Sequence, residues 1–299
     1  MPLLNSQFLS NWYTLSFDGV GICIAESFTQ AKVQEASNKS AIQGDIGTHI
    51  MDIGGKYYTS SVSAPVLIGY TDAQVLDVFD LIKHYTIYQS NTIPNNFFNN
   101  EDGNAYLLKS ATIDISSDAV KATANFEGDN RIDIATYVTN APDNLYARTA
   151  RFYDTKFTLG LIGTTPETFS FNILSGNINI NFDIDKVYIL NSTQAPRFAI
   201  RGYSATGSIK LAITPEQYAN ILDNPTIITG SEQTPGFLNA TASGAQLIIA
   251  PFDAPRYLVL GTYAVITKIE FNMQQNSIIT ANVEFAAFFN KDSFLVTNI

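Results

Sequence analysis

The chain has 299 residues, of which 45% are hydrophobic and only 15% are charged. The length allows one large domain or two of ordinary size, and we expect two. The net charge is −10 and the pI is about 4.6, which argues against direct binding of nucleic-acid phosphates, because that affinity comes from clustered Lys and Arg. The low charge content favours a protein that buries its surface against its own copies, although a β-rich protein from an AT-rich genome would share it.

The sequence shows no targeting or membrane segment. The N-terminus has no basic region followed by an apolar run, so we expect no signal peptide. The longest apolar stretch, residues 257–266, is about half the ~20 residues that a membrane helix needs, so we expect no membrane insertion. Cys23 is the single cysteine and lies in an apolar run, which predicts a small buried side chain and a protein folded in a reducing cytoplasm.

The first half contains a strand-like run followed by a helix. Residues 62–70 predict a strand, and residues 71–74 (Thr-Asp-Ala-Gln) open a helical pattern. The Thr side chain and the Gln three residues later match a capping box, in which each satisfies a free backbone amide. The apolar side of this predicted helix consists of Val75, Leu76, Phe79 and Ile82.

The second half repeats this order. Residues 207–213 predict a strand, and residues 214–217 (Thr-Pro-Glu-Gln) open a second helix. Pro215 at the first helical position supports the assignment, because a missing N–H costs nothing there. The apolar side consists of Tyr218, Ile221 and Leu222. The sequence predicts only these two helices.

Each predicted helix is followed by a loop and then by a hairpin. The first hairpin spans residues 112–126 and the second spans residues 268–285. Apolar and polar residues alternate in both, which predicts one buried face in each. Aligned position by position, the buried residues match as Ile113 with Ile269, Ile115 with Phe271, Val120 with Ile279, Ala122 with Ala281, Ala124 with Val283 and Phe126 with Phe285.

This shared order of elements predicts an internal duplication. A turn signal at residues 142–144 (Pro-Asp-Asn) places the linker at about residues 128–153. The predicted fold class is therefore mainly β, with two tandem β-sandwich or barrel modules that each carry one flanking α-helix. The first module covers residues 1–140 and the second covers residues 150–299.

Residues 177–185 form an unusually regular alternation. The polar positions are Asn177, Asn179, Asn181, Asp183 and Asp185, and Ile178, Ile180, Phe182 and Ile184 lie between them. Nine residues at ~3.3 Å each predict a strand of about 30 Å with one wet face. An ordinary half-solvated strand would show the same pattern. Residues 43–52 form a weaker counterpart in the first half. Asp183 and Asp185 would lie ~7 Å apart, within the range of glycosidase carboxylates, but nothing nearby supplies a sugar platform.

Other groups for catalysis are scarce. His49 and His84 are the only histidines, and we interpret both as structural. The run 54–56 (Gly-Gly-Lys) fails as a phosphate loop, because the Walker pattern needs Gly at Ile50 and Ser or Thr at Tyr57. No His, Cys or Asp cluster has the spacing of metal ligands. We therefore predict a protein that is not an enzyme and that has no cofactor.

The order of strands, capped helix and closing hairpin resembles that of the tail tube proteins of tailed bacteriophages. The hairpin that carries the resemblance is residues 109–115 (Lys-Ser-Ala-Thr-Ile-Asp-Ile) with residues 122–127 (Ala-Thr-Ala-Asn-Phe-Glu). The tube protein of type VI secretion systems shares that fold. The resemblance covers most of both halves, so both modules are expected to be tail-tube-like.

The resemblance implies a structural virion protein of the tail. In that family six modules form a ring, their inner strands combine into a continuous β-barrel, and rings stack into a tube. DNA passes through the tube without specific binding during ejection. Two modules per chain would give a ring of three chains, and one lumen-lining module per chain would give a hexamer.

The same resemblance gives roles to two groups of residues. The polar face of residues 177–185 (Asn177, Asn179, Asn181, Asp183 and Asp185) becomes the candidate lining of the channel, since acidic groups repel DNA phosphates. Two long loops, residues 91–104 and 229–245, become candidate contacts between rings, or with sheath, baseplate or tape-measure proteins, because loops of such length usually have a use. Their candidate residues are Asn95, Asn96, Asn99, Asn100, Glu232 and Asn239.

Two alternatives remain open at the level of sequence. The chain could be a baseplate or tail-tip protein of the same fold, which initiates or caps the tube. It could also be a β-sandwich adhesin or a capsid decoration protein. Stacked rings would separate the tube from the tip, and a monomer that binds glycans or a receptor would favour the binding module.

Overall fold

The protein is mainly β in the part of the chain that the structure describes. The computed structural model describes residues 13–17, 20–39, 50–68, 75–92, 97–98, 106–134, 148–161, 170–187, 197–215, 230–231, 234–235, 243–249, 255–261, 263–273 and 278–289. Within these ranges, α1 (Val78–Thr92) is the one α-helix of which more than one residue is described, and a short 3₁₀ turn covers Phe152–Asp154. The fold class predicted from the alternating patterns, mainly β, is confirmed.

The strands are bounded as follows. Those before α1 are β1 (Tyr13–Phe17), β2 (Gly21–Ala25), β3 (Ser27–Lys39), β4 (Ile50–Pro65), β5 (Leu67–Ile68) and β6 (Val75–Leu76). The next are β7 (Phe97–Phe98), β8 (Tyr106–Ile115), β9 (Val120–Gly128), β10 (Asp133–Ile134), β11 (Arg148–Thr149), β12 (Thr155–Leu161) and β13 (Ser170–Val187). The last are β14 (Arg197–Ile213), β15 (Gly230–Ser231), β16 (Thr234–Pro235), β17 (Ser243–Ile249), β18 (Arg256–Gly261), β19 (Tyr263–Asn272) and β20 (Ile279–Phe288).

Eight of these strands form an unbroken antiparallel series in the order β3-β4-β9-β8-β13-β14-β20-β19. The first four strands come from residues before 129 and the last four from residues after 169. β8 and β13 join the two sets through the pairs from Ile115–Gly176 to Ser110–Asn181. Each set has the same internal order, because β3, β4, β9 and β8 correspond to β13, β14, β20 and β19.

The remaining strands extend this framework. β12, β17 and β18 continue from the N-terminal end of β13, and β1, β2, β6 and β10 form a separate four-stranded sheet. Most of the buried apolar side chains of these elements belong to one hydrophobic cluster. Cys23 is fully buried in it, as the sequence predicts, and burial raises the pKa of its thiol.

The two four-stranded sets also share their irregularities. β8 has an extra residue at Lys109 and β19 has one at Thr267. Neither residue has an opposite partner on the neighbouring strand, which is β9 in the first set and β20 in the second. A second irregularity lies where β4 passes Gly54 and where β14 passes Arg201. The run Gly54-Gly55-Lys56 is therefore part of a strand, and its glycines lie at a bulge, where the extra residue bends the strand.

The pairing registers show that the predicted alignment of the two hairpins is displaced by two residues. Phe126 faces Leu108 across the first hairpin, and Phe285 faces Ile266 across the second. If β9 and β20 correspond as predicted, Ile113 matches Phe271 instead of Ile269. The buried face is unchanged because a slip of two residues preserves the side of the sheet. The alternating sequence could not distinguish the two alignments.

The predicted start of the first helix is wrong. α1 begins at Val78, and Val75 and Leu76 belong to the short strand β6, which pairs with β2. The N-cap is Asp77, whose Oδ1 accepts a hydrogen bond from the backbone N of Asp80 at 2.9 Å. An aspartate is among the best N-cap residues, so the signal was present in the sequence. Thr71 and Gln74 lie outside the described residues, as do Tyr218, Ile221 and Leu222 of the second predicted helix.

A partly buried charge cluster connects α1 to the second half of the chain. Arg256 of β18 donates hydrogen bonds from Nη1 to Asp77 Oδ2 at 2.8 Å and to Asp80 Oδ2 at 3.0 Å. Its Nη2 donates to the carbonyl of Leu67 at 2.6 Å, and the backbone N of Leu67 donates to Asp77 Oδ2 at 3.2 Å. The guanidinium also lies over the ring of Phe79, 5.2 Å from its centroid. Arg256 is 176 or more positions away along the chain from each residue to which it donates in this cluster.

We expect this cluster to make stability depend on pH through Asp80. Burial and the neighbouring charge of Asp77 raise the pKa of Asp80 to about 6, against the lowering effect of Arg256. A carboxyl group with a raised pKa binds its proton more tightly in the folded protein. Its stabilising contribution is therefore complete below about pH 4 and is lost as the pH rises through about 6. The Tm of the wild type minus that of Asp80→Asn should fall between pH 4.5 and pH 7.5.

Thermal unfolding followed by circular dichroism at several pH values measures this difference. The matched control is Asp118→Asn in the exposed turn between β8 and β9, for which the difference should stay flat over the same range. A flat difference for Asp80→Asn would contradict the prediction.

Candidate functional site

The long strand β13 has one buried and one polar face. Ile178 is fully buried, and Ile180 and Phe182 are each 1% exposed. On the other face Asn179, Asn181 and Asp183 are exposed, and Asn177 and Asp185 are half-buried. The alternation predicted for residues 177–185 is thus confirmed, and the strand extends over 18 residues. Residues 43–49 of the predicted counterpart lie outside the described residues.

The polar side chains of β13 are hydrogen bonded to those of its neighbours. Asn177 donates to Asp114 of β8, and Asn179 donates to Asn177 Oδ1 at 2.5 Å. Thr112 of β8 donates its hydroxyl to Asn179 at 3.2 Å. One strand further, Asn125 of β9 donates to Ser110 Oγ at 3.0 Å. The polar face therefore crosses from the first four-stranded set to the second without interruption.

The same face continues outward on both sides of this centre. On β14, Ser208, Thr206 and Ser204 lie opposite Asn177, Asn179 and Asn181. On β4, Ser63 and Ser61 lie opposite Thr123 and Asn125. Cross-strand partners point to the same side of a sheet, so these residues share the polar face. Short Ser, Thr and Asn side chains cover most of it, which gives a wet surface with little net charge.

Charged groups on this face mostly occur in opposite pairs. Asp185 forms an ion pair with Arg201. Lys268 lies 2.7 Å from Glu270 and 4.0 Å from Glu284, and Lys121 lies 3.7 Å from Glu26, the residue between β2 and β3. Exposed pairs of this kind contribute little to stability. They do neutralise the cations that would otherwise attract phosphate groups.

One ionic group on the polar side is buried and was not found by sequence reasoning. Glu127 of β9 is 4% exposed and lies 2.5 Å from Lys109 and 3.1 Å from Lys186 of β13. Lys186 also lies over the ring of Tyr57, 3.8 Å from its centroid. Partial burial lowers the pKa of Lys186, but the hydrogen bonds that it donates to Tyr57 and Glu127 outweigh this effect, so the pKa is raised. Alternation along β9 puts Glu127 on the same side as Thr123 and Asn125, and no local pattern indicates a partner 59 residues away.

Of the candidate loop residues and the two histidines, only His84 lies within the described residues. Asn95, Asn96, Asn99, Asn100, Glu232 and Asn239 lie outside the described residues. Phe97 and Phe98, between the first four, pair with Ala199 and Phe198 of β14. His84 is exposed on α1, and His49 lies outside the described residues.

Two further properties bear on the class of protein. Within the described ranges, no group of three or more His, Cys, Asp or Glu side chains could hold a metal ion. In the same part of the chain, no helix has the length and apolar character required to cross a membrane.

One comparison with known proteins agrees with the family resemblance noted in the sequence. A family model described as phage tail tube protein matches residues 24–287. This match includes both four-stranded sets, the helix α1 and the whole polar face. A comparison with curated proteins gives no match. Because the family model covers most of the chain, including every strand of the eight-stranded series, the chain belongs to the phage tail tube protein family.

Proposed function

We propose that three copies of this chain close into a ring, and that stacked rings form a tube that delivers the genome into the host cell. Membership of the tail tube family gives the chain a structural role in a phage tail. The observation that carries the proposal is the eight-stranded series with one continuous polar face. Three such chains would supply six four-stranded sets, as many as a ring of six single modules.

The proposal treats residues 1–140 and 150–299 as two copies of one module. Three features support this: the same strand order in each set, the bulges at Lys109 and Thr267, and those at Gly54 and Arg201. Both sets present the polar face, so both are suited to line a channel. A hexamer, in which one set per chain faces the lumen, would leave the polar face of the other set without that use.

In this assembly the polar face lines the channel. Asn177, Asn179, Asn181, Asp183 and Asp185 would then meet passing DNA, together with the Ser and Thr side chains of the neighbouring strands. A lumen of neutral and paired groups gives phosphates few cations to bind, so DNA can slide through. The physical requirement is weak attraction along the whole channel, which short polar side chains satisfy better than Lys or Arg.

This assignment predicts that new cations on the polar face will retain DNA. We expect tubes of the double variant Asn181→Lys and Asp183→Lys to bind duplex DNA in 50 mM salt at least ten-fold more than wild-type tubes, and to lose it as salt increases. Fluorescently labelled DNA that co-sediments with purified tubes measures the effect. The control is Ser117→Lys with Asp118→Lys, at the exposed hairpin turn. Equal DNA retention by both double variants would contradict the assignment of the lumen.

The loops that hold Asn95, Asn96, Asn99, Asn100, Glu232 and Asn239 remain proposed contacts. They would touch the next ring, or sheath, baseplate or tape-measure proteins. Assembly in the host cytoplasm, before the tail is completed, is part of the same proposal.

The experiment that tests the function is negative-stain electron microscopy of the purified protein at several concentrations, with measurement of the mass per ring. We expect rings with a central hole, apparent six-fold symmetry and the mass of three chains, and tubes at higher concentration. Rings that never stack would favour a tail-tip protein. Monomers at every concentration would overturn the proposal.

A further inference from the structure

Within the described residues, the eight-stranded series ends in two strands that have a partner strand on one side only. Among the described strands, β3 pairs only with β4, and β19 pairs only with β20. β3 has 13 residues and β19 has 10. An exposed edge of this length presents a row of unpaired N–H and C=O groups, which natural proteins cover or pair. We therefore expect both edges to be covered by another strand in the assembled protein.

The pairing of β8 with β13 inside the chain is a template for the way in which the two edges pair. There the last strand of the first set pairs with the first strand of the second set. The buried residues of this junction are fully enclosed, since Ile113 and Ile178 are 0% exposed and Ile115 is 3% exposed. The free edges carry the corresponding strands, because β19 corresponds to β8 and β3 corresponds to β13.

The pairing registers show which residues of the two sets correspond. Lys109 and Thr267 occupy the same bulge, so position 110 of β8 corresponds to position 268 of β19. The pair Val62–Phe28 of the first set corresponds to the pair Ile209–Gly176 of the second. The internal pair Thr112–Asn179 then becomes Glu270 of one chain opposite Ala31 of another.

We infer that β19 of one chain pairs antiparallel with β3 of the next, in the register that sets Glu270 opposite Ala31 and Met273 opposite Phe28. This inference rests on the proposed ring, and it names the surface through which the ring closes. The contact would continue the series of strands from chain to chain without a change of direction. Each backbone edge would thereby obtain its missing hydrogen-bond partners.

Side-chain burial agrees with this pairing. Met273, the counterpart of the buried Ile115, is 51% exposed in the single chain. Phe28, the counterpart of Gly176, is only half-buried. Pairing in the inferred register places these two apolar side chains against each other on the core side. On the polar side Glu270 and Ala31 are both exposed, as expected of residues that continue the polar face.

A second copy of β19 is the competing occupant of the β19 edge. Such a contact would make a closed dimer by a two-fold axis and would leave β3 uncovered. Pairing with β3 covers both edges at once.

Disulfide cross-linking tests the inferred register. Ala31→Cys combined with Glu270→Cys is expected to form covalent chain dimers and trimers, and nothing larger, on oxidation with oxidised glutathione. Directly opposite residues in an antiparallel pair have Cα atoms about 4.5–5.5 Å apart, within reach of a disulfide. The matched controls pair Ala31→Cys with Lys268→Cys or with Asn272→Cys. These register shifts of two residues keep the face but place the Cα atoms about 7–8 Å apart. Cys23 is fully buried and is left in place.

The yields, read on denaturing gels beside electron micrographs of the same samples, separate the outcomes. The highest yield for the Ala31 and Glu270 pair supports the inference. A higher yield in a shifted pair, or dimers from Glu270→Cys alone, overturns it. Rings that resist cross-linking in every pair also overturn it, because the ring would then close elsewhere, while the tube itself would stand. Samples with neither rings nor cross-links overturn both proposals.

Discussion

Asp77→Ala is expected to lower the free energy of unfolding by about 3 kcal/mol. Asp77 is 2% exposed and satisfies three groups at once: the N-terminus of α1, the amide of Leu67 and the guanidinium of Arg256. Removal of one partner of a buried ion pair costs ~3–5 kcal/mol, because the remaining charge is left uncompensated. Arg256 keeps Asp80 at 3.0 Å, so we expect the lower end of that range.

Urea unfolding followed by circular dichroism measures the loss as a lower midpoint at an unchanged m value. Asp77→Asn should lose less, because the amide oxygen can still cap the helix. Asp118→Ala, in an exposed turn, is the surface control and should change stability by less than about 0.5 kcal/mol. If Asp77→Ala and Asp118→Ala unfold at the same urea concentration, the cluster does not stabilise the fold.

Phe126→Ala is expected to lower the free energy of unfolding by about 3–5 kcal/mol. Phe126 is 2% exposed, and its ring centroid lies 5.2 Å from that of Phe17 and 5.1 Å from that of Tyr85. It thus connects β9 of the large sheet with β1 of the small sheet and with α1. Truncation removes a large buried surface and leaves a cavity that three separate elements cannot collapse to fill.

The matched control is Ile134→Ala, which also removes an apolar side chain but one that is 66% exposed. We expect its effect to stay within about 0.5 kcal/mol. Thermal unfolding of both variants at one protein concentration, below that at which rings form, separates stability from assembly. A loss below about 1 kcal/mol for Phe126→Ala would show that the three elements are not coupled through this ring.

The sequence by itself determined the features that depend on neighbouring residues. A strand exposes alternate residues to opposite sides, so the faces of residues 112–126 and 177–185 followed from their spacing and are confirmed in β8, β9 and β13. The mainly β class followed from the same periodicity. The order of elements in each half also supported the family resemblance, which the match over residues 24–287 confirms.

The same local patterns failed where two arrangements share one pattern. Val75 and Leu76 fit the apolar side of a helix, yet they form a strand with β2, because a short apolar run satisfies both periods. The hairpin alignment was displaced by two residues, since a slip of two keeps every side chain on its face. Only hydrogen-bonded partners could decide between these alternatives.

The tertiary structure alone decided how the two halves meet. The pairing of β8 with β13, the contact of Glu127 with Lys186 and the cluster around Arg256 join residues separated by tens to nearly two hundred positions. Spacing along a chain carries no information on such contacts, because they depend on which edges and buried charges the folded elements bring together. For this protein those contacts turn two similar halves into one sheet with a single polar face.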